Sequence, residues 1–157
     1  MSLIPSTKPI SFIQDAQLVA ELLDALSREQ SSLVMADIDA IEDLMKEKSD
    51  LLQRINMAAK LRYGDLAVNG FEANESGMLA WLKRQAKPAL NQQWLNFQKT
   101  LSQAKEMNRL NGILINKHFN RNQQLLNHIQ GNAHANHVYG KNGQAQTYAQ
   151  ARGSLTV

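Results

Sequence analysis

The chain has 157 residues, a net charge of +3 and no cysteine. It has one domain's length, and disulfide frameworks, thiolate metal sites and cysteine nucleophiles are excluded. We find neither an apolar run long enough to cross a membrane nor the basic and apolar regions of a signal peptide. We therefore expect a cytoplasmic protein without membrane insertion. The charge excess is too small to indicate nucleic-acid binding.

The first predicted element is a single long helix over about residues 11–63. Ser11 and Gln14 resemble a capping box, and neither glycine nor proline interrupts the segment before Tyr63. At 1.5 Å per residue such a helix is roughly 75 Å long and needs a packing partner along its length. Its apolar stripe recurs at three- and four-residue steps. The stripe consists of Leu18, Leu22, Leu26, Leu33, Ala40, Leu44, Leu51 and Ile55, with Glu29, Asp37 and Lys48 at intervening positions.

Two more helices are predicted after a glycine-punctuated linker at about residues 64–77. The first is short, covers about residues 78–87 and has an apolar face. Pro88 suits the first turn of the next helix, which we expect to end near residue 130. The second half of this helix is rich in asparagine and contains Gly112. Interior asparagine costs several tenths of a kcal/mol and glycine about 1 kcal/mol relative to alanine, so this half needs something packed on it.

The remaining segments are not predicted to join the packed domain. Residues 131–157 show no hydrophobic period and are predicted to be a mobile tail, and residues 1–10 a flexible N-terminus. Residues 11–130 then form a single helical domain. The predicted fold class is all-α: a long antiparallel, coiled-coil-like helical hairpin with a short accessory helix.

Motifs for catalysis or for nucleotide and cofactor binding are missing, so we expect no enzyme and no cofactor. His134 and His137 could share one helix face, but with no acidic residue or cysteine nearby, solvated histidines are favoured over a metal site. The Gly140–Gly143 loop resembles that of an RNA-binding KH module but lacks flanking strands. What remains is protein binding. The stripe from Leu110 to Ile129 either receives a partner helix or packs within the protein or on a second copy, and periodicity favours neither.

Three stretches of the chain carry a family resemblance. The last two are the more specific, because any amphipathic helix shows a pattern like the first. The stretches are Leu26-x2-Glu29-x3-Leu33 through Lys48-x2-Leu51-Leu52-x2-Ile55, then Leu110-Asn111-Gly112-Ile113-Leu114 extending to Arg121-Asn122-Gln123-Gln124-Leu125-Leu126, and finally Tyr139-Gly140-Lys141-Asn142-Gly143-Gln144. In order and spacing they resemble the FlgN family of flagellar type III export chaperones.

The resemblance implies a cytoplasmic, non-enzymatic chaperone for the hook–filament junction proteins FlgK and FlgL. Such a chaperone holds their C-terminal segments, prevents premature assembly and delivers them to the export-gate protein FlhA. Tyr139 matches the family's FlhA-contacting tyrosine. The alternative is a structural homodimeric coiled coil that uses the same stripe for self-association. The implied cargo-binding residues are Leu110, Ile113, Leu114, Leu125, Leu126 and Ile129.

Overall fold

The computed structural model describes residues 9–131, which form four α-helices. These are α1 (Ile13–Met35), α2 (Ile38–Val68), α3 (Glu75–Gln85) and α4 (Pro88–Gly131). No strand occurs within that range, and the predicted all-α fold is confirmed. The segments before residue 9 and after residue 131, including the predicted tail, lie outside the described residues.

The first predicted helix is in fact two helices, so the prediction of one continuous helix over residues 11–63 was wrong. Ala36 adopts the left-handed conformation at φ 53°, and the Asp37 N–H donates to the Ser32 carbonyl at 3.0 Å. Asp37 then caps α2, because its carboxylate accepts the Ala40 N–H at 3.2 Å. These bonds satisfy polar groups at both helix ends. The chain therefore reverses without glycine or proline.

Helices α1 and α2 form an antiparallel hairpin with coiled-coil spacing. The predicted antiparallel helical hairpin is therefore present, but both of its arms lie within the segment that was predicted to be one helix. Asp15 pairs with Arg62, and Glu29 lies 3.5 Å from Lys48 between Oε1 and Nζ. Asp15 and Glu29 are two heptads apart on α1, and their partners Arg62 and Lys48 are two heptads apart on α2 in the reverse order, as in an antiparallel coiled coil. The buried residues of the hairpin are Asp15, Leu18, Val19, Leu22, Ala25, Leu26, Glu29 and Leu33 of α1, and Leu44, Lys48, Leu51, Ile55, Ala58, Ala59, Arg62 and Leu66 of α2.

Helix α4 packs on α1 and runs in the same direction. Near the start of the helices, the Phe12 and Trp94 ring centroids are 5.4 Å apart. Farther along, the Asn111 side-chain amide donates to the Leu26 carbonyl at 2.8 Å. Helix α1 thus makes extensive contacts with both α2 and α4. Within the described residues the bundle is built around α1.

The short accessory helix α3 begins at Glu75, earlier than the predicted residue 78. Asn74 causes the early start, because its side-chain oxygen accepts the Gly77 N–H at 2.8 Å. Since α2 continues past Gly64 to Val68, the linker is also shorter than predicted. Met78, Trp81 and Leu82 of α3 are buried in the main core.

The main core at the end of the bundle where α1 begins is apolar except for the buried Asp15–Arg62 pair. We call this the aromatic end and define it by Phe12, Trp94 and Phe97. The Trp94 and Phe97 centroids are 5.3 Å apart, and the Arg62 guanidinium lies 5.5 Å from each of these two rings. Ile10, at the edge of the segment predicted to be flexible, is also buried here. Arg62 therefore reaches from α2 to α4 beside its carboxylate partner.

A polar layer, formed by Glu29, Lys48 and Asn111, crosses the bundle farther along. Asn111 Nδ2 donates to Glu29 Oε1 at 2.9 Å, and all three side chains are almost completely buried. Burial lowers the pKa of Lys48, while the Glu29 carboxylate opposes that shift. The layer joins α1, α2 and α4 at one level. Leu33 lies beyond it, buried but outside the main core cluster.

Candidate protein-binding surface

Helix α4 is much longer than the helix it packs against. The contacts of Asn111 with Leu26 and Glu29 fix the register between α4 and α1. In that register, α1 ends at Met35, opposite about residue 119 of α4. About 12 residues of α4, roughly 18 Å at 1.5 Å per residue, continue past α1. We call residues 120–131 the α4 overhang.

The overhang carries apolar side chains with nothing packed on them among the described residues. Leu125, Leu126 and Ile129 are 54%, 46% and 66% exposed. Leu126 follows the buried Ile115 by three turns, and Ile115 follows the buried Ala104 by another three. Leu126 therefore continues the stripe that packs against the bundle. Its exposure results from the end of α1, not from a change in sequence pattern.

A second open apolar surface lies between α1 and α4, next to the overhang along the helix. It is a groove of about 890 Å³. Leu23 and Ser27 line it from α1, and Met107 and Leu110 from α4. Leu114 and Leu125 follow Leu110 on the same side of α4 at helical steps. The groove and the overhang together extend from about residue 107 to residue 129, roughly 33 Å.

The six residues that the sequence implicated fall into two groups. Leu110, Ile113 and Leu114 lie beside α1, where the first two are 38% and 47% exposed and Leu114 is half-buried. The other three are the apolar residues of the overhang. One long face of α4 connects most of them, but Ile113 points to another side of the helix. Tyr139 lies outside the described residues.

The charge of this surface differs between the groove and the overhang. The groove is lined by the carboxylates of Asp24 and Glu106, which pair with Arg28 and Arg109. No aspartate or glutamate follows Glu106 in the sequence, whereas Lys117 and Arg121 are exposed on α4 beyond the groove. The part of the surface toward the overhang is therefore positive, and a partner with acidic residues beside its apolar stripe suits that part.

Sequence reasoning did not identify the buried charge pairs. Glu29 and Lys48 were recognised only as interruptions of the apolar stripe. Their spacing does carry a signal, since each occupies a core position of the heptad pattern. Pairing them requires knowledge of the turn at Ala36. Asn111, part of a resemblance motif, lies in the core and not on the binding surface.

Other kinds of site have little support within residues 9–131. There is no cluster of three or more potential metal ligands there. None of the four helices combines the length and hydrophobicity needed to cross a membrane. The histidines considered for a metal site, His134 and His137, and the Gly140–Gly143 loop lie outside the described residues.

Comparison with known proteins identifies the family. The model of the family described as FlgN protein matches residues 11–147, a range that includes all four helices. The chain belongs to the FlgN family. This confirms the resemblance seen in the sequence and makes the chain a member of a family of flagellar export chaperones, not of enzymes. No curated protein and no solved structure shows significant similarity to it.

Proposed function

We propose that this FlgN-family chain acts in the cytoplasm as an export chaperone for the hook–filament junction proteins. It binds the C-terminal segments of FlgK and FlgL, prevents their premature assembly and delivers them to the export-gate protein FlhA. One observation carries the proposal: the core-facing stripe of α4 continues through Leu126 and Ile129 after the helix that covers it has ended.

The surface suits an amphipathic helix in length and character. Its roughly 33 Å from groove to overhang equals about 22 residues of α-helix. Helix-in-groove recognition depends on apolar side chains that lie along one helix face. Leu110 and Leu114 are one helical turn apart on α4, and Leu125 follows about three turns later on the same side. A cargo segment that is unfolded when free loses entropy on binding, which weakens the affinity and leaves the complex releasable.

Isothermal titration tests the cargo assignment. The protein is titrated with FlgK and FlgL of its own organism, each full length and each lacking its C-terminal segment. We expect one-to-one binding at about micromolar affinity or tighter that disappears on truncation. Absence of heat with both full-length proteins contradicts the proposed cargo.

A matched pair of variants tests the location of the site. Leu114→Asp combined with Leu125→Asp should abolish cargo binding while far-UV circular dichroism remains helical. The control is Leu95→Asp, because Leu95 is 61% exposed on the first half of the same helix. Cargo binding that survives the double substitution, or is lost equally in the control, places the site elsewhere.

Tyr139 is proposed to contact FlhA. Tyr139→Ala should leave the titration with cargo unchanged and should weaken capture of the loaded complex by FlhA in a pull-down assay. Equal capture of both versions contradicts this role.

The alternative function is self-association through the same apolar stripe. Sedimentation velocity distinguishes self-association from cargo binding. A protein that is monomeric at all concentrations leaves the stripe available to cargo, whereas a tight dimer covers it. Pairing two overhangs side by side and in parallel brings Arg121 of both copies together, and this repulsion disfavours that dimer.

A further inference from the structure

Two neighbouring residues of α4 show burial opposite to their polarity. Asn111 is 0% exposed, whereas Leu110 is 38% exposed. Burial of apolar area stabilises a fold, and a buried amide costs free energy unless its polar atoms form hydrogen bonds. Polarity alone therefore predicts that the leucine is buried and that the asparagine faces solvent.

The apolar residues of this stretch define a different side of α4 from the side that packs. Met107, Leu110 and Leu114 are three and four residues apart and share one side of the helix, where each is half-buried or exposed. The side that faces the bundle has the buried Asn111 and Ile115. The two sides are about a quarter of a turn apart at 3.6 residues per turn. Apolar spacing therefore does not decide which of them packs against α1.

Hydrogen bonds of Asn111 supply the missing preference. Its Nδ2 donates to the Leu26 carbonyl at 2.8 Å and to Glu29 Oε1 at 2.9 Å. Both partners are acceptors, so the two amide hydrogens are both used and an N–H2 group matches the pair. Lys48 of α2 holds the same Glu29 oxygen, with Nζ at 3.5 Å. A rotation of α4 about its axis takes the amide away from both acceptors.

The observed rotation leaves the leucine side of α4 open. With Asn111 toward the bundle, Leu110 lines the groove beside Leu23 and Ser27 of α1. Leu114 follows one turn later on the same side. A rotation that buried these leucines in the bundle would remove them from the groove. Buried polar residues in helical bundles specify the relative placement of helices at a cost in stability.

We propose that Asn111 is a positioning residue for the cargo site. Its hydrogen bonds to Leu26 and Glu29 fix the rotation of the second half of α4 and keep Leu110 and Leu114 available to the partner. The inference rests on the proposed function and adds to it the residue that orients the site. Asn111 thus serves cargo binding without touching cargo.

The first test replaces the polar layer by apolar residues. Glu29→Leu, Lys48→Leu and Asn111→Leu are combined in one protein. Replacing buried ion pairs by apolar residues of similar volume is often neutral or stabilising, so the midpoint of urea denaturation should stay the same or rise. Cargo binding should nevertheless weaken about tenfold, the order expected when two apolar anchors turn away from a partner.

A matched variant keeps the hydrogen bonds of Asn111. Glu29→Gln combined with Lys48→Leu removes the same two charges, but the glutamine oxygen still accepts from the Asn111 amide. This variant should bind cargo like the unmodified protein. Unchanged binding by the triple variant overturns the proposal. An equal loss in both variants also overturns it, because the charges and not the hydrogen bonds of Asn111 would then be responsible.

Thiol labelling tests the rotation of α4 without cargo. The chain has no cysteine, so Leu110→Cys and Ile115→Cys each provide a single thiol, one on each side of the helix. With the polar layer intact, a maleimide should react fast at position 110 and slowly at position 115, because Ile115 is 4% exposed. In the triple variant the first rate should fall severalfold and the second should rise. Unchanged rates at both positions overturn the proposal.

Two further variants support the labelling experiment. Asn111→Leu alone leaves the Glu29–Lys48 pair in place and should change both rates in the same directions, which provides the test in a protein with fewer substitutions. Leu95→Cys is the control, since Leu95 is 61% exposed before the polar layer and should react equally fast in every background. A change at position 95 as large as that at position 110 indicates general loosening and overturns the proposal.

The two experiments separate failure of the positioning role from failure of the proposed function. Cargo that binds the unmodified protein and the triple variant equally overturns the role of Asn111 alone. Cargo that does not bind the unmodified protein at all overturns the chaperone assignment, and the positioning of a cargo site with it. The labelling rates are independent of cargo and show in either case whether Asn111 sets the rotation of α4.

Discussion

Helix α4 is covered by neighbouring side chains at one end of the bundle and exposed at the other. At the aromatic end, Trp94 and Phe97 are 4% and 2% exposed and pack against Phe12 and the Arg62 guanidinium. At the other end, Leu126 continues the same stripe with 46% of its surface exposed. Asparagine becomes frequent in the second half of α4, but Leu126 and Ile129 still occupy core-facing positions of the helix. The neighbouring helix is what is missing there, so core-facing apolar residues serve the fold at one end and are available for binding at the other.

The polar layer separates these two regions. The free energy gained by hydrophobic burial is proportional to the apolar area removed from water. Buried charges reduce this gain because they must be desolvated. One Glu29 oxygen has no hydrogen-bond partner within the described residues, so the layer is not fully satisfied. The main core cluster ends before the layer, and local stability is therefore expected to be lower from the layer toward the overhang.

The sharpest way to test the comparison is to truncate one apolar residue at each end. Phe97→Ala creates a cavity in the main core and should lower the free energy of unfolding by about 3–5 kcal/mol. Leu126→Ala removes an exposed side chain and should change it by less than about 0.5 kcal/mol. Urea denaturation measures both values. Comparable losses from the two variants contradict the division into a structural end and a binding end.

The next test breaks the polar layer. Glu29→Leu leaves Lys48 buried without its carboxylate and should cost about 3 kcal/mol, as measured by urea denaturation. Adding Lys48→Leu should recover most of that loss, because two well-packed apolar residues replace a buried ion pair at little cost. Equal destabilisation by the single and double variants means that the pair contributes more than its desolvation cost. Together with the single variant Lys48→Leu, these proteins form a double-mutant cycle, which gives the coupling free energy between the two side chains.

Titration of Lys48 makes the polar layer sensitive to alkaline pH. Because burial lowers its pKa from the ordinary 10.5, the unfolded chain binds more protons than the folded one between the lowered pKa and 10.5. Stability conferred by this residue therefore rises with pH across that window. The free energy of unfolding of the unmodified protein, measured relative to Lys48→Met by urea denaturation, should increase as the pH rises toward 10.5. A difference that is independent of pH contradicts the lowered pKa.

The bounds of α4 could be predicted from the sequence because residues typical of helix ends stand at both of its termini. Pro88 begins it and Gly131 ends it, close to the predicted range of residues 88–130. Its apolar spacing also showed the stripe from Leu110 to Ile129, but periodicity left open whether that stripe is packed within the protein or binds a partner. The cargo role of that stripe came from the family resemblance, and the six implicated residues remain a prediction.

The turn at Ala36 was inaccessible for a physical reason. Alanine is a strong helix former, and nothing in its side chain favours the left-handed conformation that Ala36 adopts here, where the Ala36 and Asp37 N–H groups donate to the carbonyls of Leu33 and Ser32. The one local signal was Asp37, a residue typical of helix N-caps. Missing the turn also hid the Glu29–Lys48 pair and the exposed residues of the turn, because each depends on the position at which the chain reverses.

The smallest expected effect concerns this same turn at the base of the overhang. Ala36 has φ 53°, a conformation that costs a residue with a Cβ roughly 1 kcal/mol and that glycine adopts freely. Ala36→Gly should therefore stabilise the protein by about 0.5 kcal/mol, after the greater entropy of glycine in the unfolded chain is subtracted. The control is Ala20→Gly in the interior of α1, where the same substitution should destabilise by about 1 kcal/mol. Opposite signs in urea denaturation establish that the hairpin in solution reverses at Ala36, whereas destabilisation by both indicates a continuous helix through this position. Since Ala36→Gly does not change the exposed residues of α4, cargo affinity should stay unchanged.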